Sequence, residues 1–245
     1  MKIHNATILI TGANRGLGLA FARESLARGA RKVYAGVREP SKLALAGVEA
    51  IRLDVTRPED VAAAASRCGD LTLLINNAGI AAFGGFLSAD SIESARAQLE
   101  TNFFGPLRLS QAFAPVLAAN GGGAILNVLS VASWINAPML AMYGASKSAA
   151  WALTNGLRHE LRAQGTHVLG MHVGFVDTDM TRGIDMPKSS PELIVRRTLD
   201  ALEAGAEEVL ADERARQIKQ GLSADPGVYL LDPSAGAPVA SAAAR

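Results

Sequence analysis

The stretch Thr11-Gly12-Ala13-Asn14-Arg15-Gly16-Leu17-Gly18 lies between an apolar run, Ala6 to Ile10, and a segment with helical spacing, Gly18 to Arg28. Gly12 lets the chain turn sharply off a strand, while Gly16 and Gly18 let backbone amides approach an anion and let the helix pack close to a sheet. The helix amino terminus adds unpaired amides and the positive end of its dipole, so the loop suits a pyrophosphate. Three residues separate the first two glycines and one separates the last two, a spacing that differs from the common dinucleotide fingerprint.

Further apolar runs follow at Lys32 to Val37, Val48 to Leu53, Leu71 to Ile75, Ala124 to Leu129, His167 to Val173 and Glu208 to Leu210. Most are apolar almost throughout, as parallel strands covered on both faces are. Between them, Pro58 to Arg67, Ser91 to Ala119, Met142 to Ala163 and Pro191 to Ala204 carry helical spacing. Strand and helix in alternation predict an α/β fold, a doubly wound parallel sheet of seven strands with helices on both faces, as a single domain over residues 1–231. Pro106, after Gly105, predicts a kink in the long helix. From Asp232 to Arg245 the chain is mostly Ala, Pro, Ser and Gly, and the expectation there is a disordered tail.

A net charge of +1 and no block of basic residues disfavour binding to nucleic acid or an anionic membrane. Cys68 is the only cysteine, which excludes an intrachain disulfide and a cysteine zinc cluster. His4, His159, His167 and His172 have no metal spacing, so no metal site is expected. Only ten residues precede the glycine stretch and no apolar run reaches bilayer length; the expected location is cytoplasmic.

Tyr143 and Lys147, in Tyr143-Gly144-Ala145-Ser146-Lys147, stand four apart on one predicted helix and share a face. An ammonium beside a phenol favours the phenolate, so the pair suits proton transfer. The glycine spacing, this pair and Asn76-Asn77-Ala78-Gly79 after the fourth strand together resemble the single-domain branch of the short-chain dehydrogenase/reductase family, over roughly Thr7 to Met180. The resemblance implies a Rossmann-like fold and a catalytic tetrad of Asn102, Ser130, Tyr143 and Lys147. In it Ser130 polarises a carbonyl, Tyr143 exchanges the proton, and Asn102 helps hold a water beside Lys147. Ser133 is the competing serine, three residues too late. The resemblance also implies cofactor contacts from Gly12, Asn14, Arg15, Gly16, Leu17 and Gly18, from Asn76, Ala78 and Gly79, and from Asp54 with Val55 at the adenine. Tyr143 and Lys147 join them, with Gly174, Val176 and Thr178 near the nicotinamide carboxamide. Val173 replaces the family's usual proline.

Charge argues for the cofactor type. An NAD site usually has an acid at the end of the second strand, where this chain has Val37 followed by Arg38. Arg38 and Arg15 suit a ribose 2′-phosphate, so NADP(H) is expected, with Glu39 as the feature that would permit NAD(H). Ser130, Leu140, Tyr143, Phe175 and Met180 are candidate substrate contacts. Phe83, Phe86, Trp134 and Met186 are further candidates for an apolar wall, and Thr181 to Ser190 for a lid. The expected reaction interconverts a carbonyl compound and a secondary alcohol, in a homodimer or homotetramer paired through the helices Ser91 to Ala119 and Met142 to Ala163. Phe113 and Trp151 are candidate interface residues. A non-catalytic NADP(H) sensor and a nucleotide-sugar dehydratase or epimerase are the alternatives; the tetrad disfavours the first and the short stretch after Met180 the second.

Overall fold

The computed structural model describes residues 1–231, and the tail expected from Asp232 to Arg245 lies outside the described residues. Seven strands, β1 (Thr7–Thr11), β2 (Lys32–Val37), β3 (Glu49–Arg52), β4 (Leu73–Asn76), β5 (Ala124–Val128), β6 (His167–His172) and β7 (Glu208–Leu210), form one sheet. Their order is β3-β2-β1-β4-β5-β6-β7 and every neighbouring pair is parallel. The helices are α1 (Gly16–Ala27), α2 (Pro58–Arg67), α3 (Ser91–Leu99), α4 (Gly105–Ala119), α5 (Ala141–Glu160), α6 (Pro191–Glu203) and α7 (Glu213–Gly221). This is the doubly wound Rossmann-like sheet that the alternation of runs predicts.

Alternation within each strand distributes the core. Ile8 and Ile10 project to one face with Val33, Ala35, Leu73, Ile75 and Leu126, and α1 packed on α6 covers them. Leu9 projects to the other with Tyr34, Ile51, Leu74 and Ile125, beneath α2, α4 and α5. Two buried faces explain why these strands read as unbroken apolar runs. The chain runs outward from β1 through β2 to β3, then returns to place β4 on the other side of β1. The reversal opens a crevice at the carboxyl ends of β1 and β4.

The single helix predicted from Ser91 to Ala119 is interrupted earlier than its proline suggests. α3 ends at Leu99, a π-helical turn spans Glu100–Phe104, and α4 begins at Gly105. Pro106 follows at once in α4, which continues from the π-helical turn through helical backbone at Phe104 and Gly105, so its missing N–H leaves a carbonyl of that turn without a helical donor. Gly105 is there because a Cβ would stand 2.9 Å from Val55 Cγ2. Phe113 is wholly buried under the sheet, which corrects its candidacy as an interface residue. Trp151 is half-buried, edge-on to Trp134 with ring centroids 6.3 Å apart. Among the described residues no helix is long and apolar enough to cross a membrane.

Candidate active site

A cleft of about 500 Å³ opens where the carboxyl ends of the central strands meet the loops that follow them. Gly12 (φ 66°) and Gly16 (φ 53°) both adopt left-handed backbone, which an L side chain would strain, and both form the cleft wall with Asn14, Arg15 and Leu17. Gly18 stands behind that wall: a Cβ there would lie 2.2 Å from the Gly12 carbonyl oxygen, so this glycine lets α1 start against the turn. Thr11 fixes the opposite wall. Its hydroxyl accepts hydrogen bonds from the Asn77 amide (3.0 Å) and the Ala78 amide (2.9 Å), tying the loop after β4 to β1.

Asn76 does not reach the cleft. It is the last residue of β4, its side-chain amide donates to Asn127 Oδ1 at 2.8 Å, and the wall is made by Asn77, Ala78 and Gly79 instead. Side chains alternate along a strand, so Asn76 turns toward Asn127 while Asn77 turns to the glycine loop, its side-chain amide donating to the Thr11 and Gly12 carbonyl oxygens at 2.8 and 3.3 Å. The register pairs Asn76 with Asn127, which a reading along one strand does not reveal.

Val37, Arg38, Asp54 and Val55 line the far end of the cleft, with Thr56 beside them. Burial works against the Asp54 carboxylate, yet hydrogen bonds from the Thr56 amide (3.0 Å) and hydroxyl (2.7 Å) to Oδ1, with Arg38 and Arg57 nearby, hold it below its ordinary range. Asp54 thus starts the turn into α2 with one oxygen and presents its carboxylate to the cleft as well. Arg38 is exposed on the wall, while Glu39 pairs with Lys42 at 2.6 Å and does not line the cleft. Arg15 reaches across to Asp179 at 3.3 Å.

Ser130, Tyr143 and Lys147 come together on the inner wall. Ser130 is extended just past β5, and its hydroxyl accepts from the Ala132 amide at 3.1 Å. Ser133 is buried off the cleft, its hydroxyl donating to the Ser130 carbonyl oxygen, so the competing serine is spent on holding the other in position. Lys147 donates to the Val128 carbonyl oxygen at 2.8 Å and stands 5.8 Å from the centre of the Tyr143 ring. Asn102 lies behind them in the π-helical turn. Its Oδ1 accepts from the Ile80 amide, and its Nδ2 donates to the Ile80 carbonyl oxygen and to Ser146 Oγ, each at 2.9 Å. Ser146 in turn donates to the Tyr143 carbonyl oxygen, so Asn102 clamps the loop after β4 onto α5 beside the tyrosine.

The electrostatics differ from the simple pairing expectation. Burial pushes the Tyr143 phenol above its ordinary value, opposed by the Ser130 side chain. Burial also lowers Lys147 from 10.5 to about 8. Between those pH values the unfolded chain holds a proton that the folded chain has released, so folding gains stability as pH rises through the window; below about 8 the full cost of burying the cation remains. Lys147→Met is therefore expected to stabilise the fold at pH 7 by on the order of 2 kcal/mol, after the lost Val128 hydrogen bond is set against it. Denaturant unfolding of variant and parent at pH 7 and pH 10 checks this. The advantage shrinks at the higher pH, and an advantage equal at both would contradict the assignment.

After β6, Gly174, Phe175, Val176, Thr178 and Met180 continue the wall, joined by Leu140, Phe83 and Ile184. The Val173 carbonyl oxygen accepts from the Val131 amide at 3.0 Å, tying the start of this loop to the turn after β5. Thr178 Cγ2 packs 3.2 Å from where a Gly16 Cβ would be, joining the glycine turn to this loop. The segment Thr181 to Ser190, expected as a lid, is anchored at its end: the Asp177 amide donates to the Ser189 carbonyl oxygen and the Ser189 amide to that of Phe175, both at 2.9 Å. Three of the apolar candidates do not line the cleft. Trp134 stacks on buried His172 with ring centroids 3.7 Å apart, and Phe86 and Met186 are exposed elsewhere. Five polar wall residues were not legible as such in the sequence, namely Thr56, Asn77, Thr101, Asp179 and Arg214. Asp179 follows Thr178 directly and its proximity was a usable signal, whereas Arg214 is brought in by the pairing of β6 with β7 and has no spacing signature.

The profile of the short chain dehydrogenase family matches residues 6–188. The short-chain dehydrogenase ptmH of Penicillium ochrochloron is 38% identical over 70% of this chain and 66% of its own length. The uncharacterized oxidoreductase YbbO of Escherichia coli strain K12 is 33% identical over 81% of this chain and 78% of its own. The chain spans about two thirds of the length of the first curated relatives it matches. Among solved structures, a short chain dehydrogenase from Burkholderia cenocepacia J2315 in complex with NADP is 44% identical, with a TM-score of 0.89 over 92% of this chain and 96% of that one. A short-chain dehydrogenase from Sphingobium yanoikuyae in complex with NADPH is 31% identical, with a TM-score of 0.76 over 89% and 94%. By sheet order, cleft and sequence, this chain belongs to the short-chain dehydrogenase/reductase family.

Proposed function

We propose that the protein is an NADP(H)-dependent oxidoreductase that interconverts a carbonyl compound and a secondary alcohol. The observation that carries this reading is the grouping of Ser130, Tyr143 and Lys147 on one wall of a cleft whose other end is a left-handed glycine turn. The cleft fits the cofactor: the φ values of Gly12 and Gly16 keep the turn free of side chains, and the exposed Arg38 guanidinium stands where Glu39 has turned to Lys42. In this reading the glycine turn binds the pyrophosphate, Arg15 and Arg38 take the 2′-phosphate, Asp54 accepts from the adenine amino group, and Thr178 orients the carboxamide. Bound there, the nicotinamide supplies or accepts the hydride.

Ser130 donates a hydrogen bond from its hydroxyl to the substrate carbonyl oxygen, keeping its proton, and draws charge toward that oxygen. Tyr143 then delivers its proton to that oxygen as the carbonyl carbon receives the hydride, and the phenolate is reprotonated along the Lys147 side. The raised phenol value keeps Tyr143 protonated at neutral pH, the form a reduction requires. A cytoplasmic homodimer or homotetramer paired through α4 and α5 belongs to the same reading. The test is oxidation of NADPH, and separately NADH, by the purified protein across aliphatic, aromatic and steroid-like ketones. The expected result is ketone-dependent turnover that is faster with NADPH; tight NADPH binding with no turnover of any ketone would favour a cofactor-sensing role instead.

A further inference from the structure

Phe83, Leu140, Phe175 and Ile184 give the cleft apolar side chains, and Arg214 joins the same lining from the first turn of α7. Arg214 lies with its guanidinium carbon 5.6 Å from the centre of the Phe175 ring. Its position is built rather than incidental. Asp212 caps α7 by accepting from the Ala215 amide at 2.8 Å, and its second oxygen accepts from the Gly174 amide, also at 2.8 Å. The same carboxylate thus fixes the start of α7 against the loop after β6. Gly174 completes the fit, because a Cβ there would come within 3.0 Å of Arg214 Cδ.

The neighbouring charges are already engaged. Both Asp212 oxygens are bound to amides, Asp179 pairs with Arg15 and Arg182, and Arg216 pairs with Glu213. Arg214 has no acidic partner among the described residues. A cation that lines the cleft against an aromatic face, without a counter-ion among the described residues, is arranged for an anion that arrives with the ligand. One guanidinium neutralises a monoanion and matches the two oxygens of a carboxylate.

Resting on the reductase reading above, we propose that the substrate is an apolar ketone bearing a carboxylate away from the reacting carbonyl, and that Arg214 selects it by binding that carboxylate. The test compares benzoylpropanoate with its methyl ester under NADPH. The parent protein is expected to favour the acid over the ester about tenfold in kcat/KM, a modest figure because Arg214 is exposed to solvent. Arg214→Gln brings the ratio to about one, and Arg214→Lys retains part of it. Turnover of both ketones with no acid preference, or a ratio unmoved in Arg214→Gln, would overturn the subsite and leave the reductase reading standing. A loss of NADPH affinity in Arg214→Gln as large as the loss of acid preference would reassign the guanidinium to the cofactor and also overturn it. If neither ketone turns over, the reductase reading is judged on the wider ketone panel, and calorimetric titration of hydrocinnamate against hydrocinnamamide decides the subsite alone. Tighter binding of the acid, weakened about tenfold in Arg214→Gln, supports it, and equal binding of acid and amide refutes it.

Discussion

Tyr143→Phe is expected to cut ketone reduction about a thousandfold while NADPH still binds, because the substitution removes one hydroxyl and keeps the ring. The ring is half-buried at the start of α5, and its backbone carbonyl remains bonded to Ser146, so the clamp from Asn102 stays in place. What disappears is the proton donor beside Ser130. Cofactor affinity measured by nicotinamide fluorescence, together with single-turnover rates, separates the two effects. Full activity in the variant would move the acid role to another group in the cleft, and loss of both binding and fold would mean the phenol is structural.

Arg38→Asp should shift cofactor preference from NADPH toward NADH by about a hundredfold or more in the ratio of kcat/KM values. The change removes a charge-assisted contact to phosphate and places a like charge in its position. Arg15 does not substitute fully, since it divides its charge with Asp179 across the cleft. The pairing of Glu39 with Lys42 argues that the native site has no competing carboxylate turned toward the ribose. A preference for NADH in the parent, or a ratio unmoved by the substitution, would remove Arg38 from the phosphate site.

The sheet was legible because its strands are buried on both faces and therefore read as apolar runs at every position. The glycine turn and the Tyr143 and Lys147 pair were legible because local spacing determines their geometry, whereas Ser130 and Asn102 were legible only through the family resemblance. What escaped the sequence depends on contacts between distant strands. Asn76 and Asn77 differ by one position, and only the pairing of β4 with β5 decides which faces the cleft. Arg214 reaches Phe175 through the placement of β7 beside β6, a neighbourhood that no spacing encodes. The break in the long helix was expected at Pro106, but it is a π-helical turn at Glu100–Phe104, where the Asn102 side chain bonds the Ile80 backbone. The partner of the Lys147 ammonium was not legible either. Four residues along a helix place them on one face, yet the ammonium turns to the Val128 carbonyl oxygen, and burial governs both groups.

The central claim is that the cleft transfers hydride from a reduced nicotinamide to a carbonyl carbon. The most direct measurement uses NADPH carrying deuterium at both positions of its reducing carbon, with the protein, a ketone it turns over, and mass spectrometry of the alcohol formed. The account predicts one deuterium per product, on the carbinol carbon. Alcohol formed without deuterium, or NADPH consumed with no alcohol formed from any ketone offered, would contradict it.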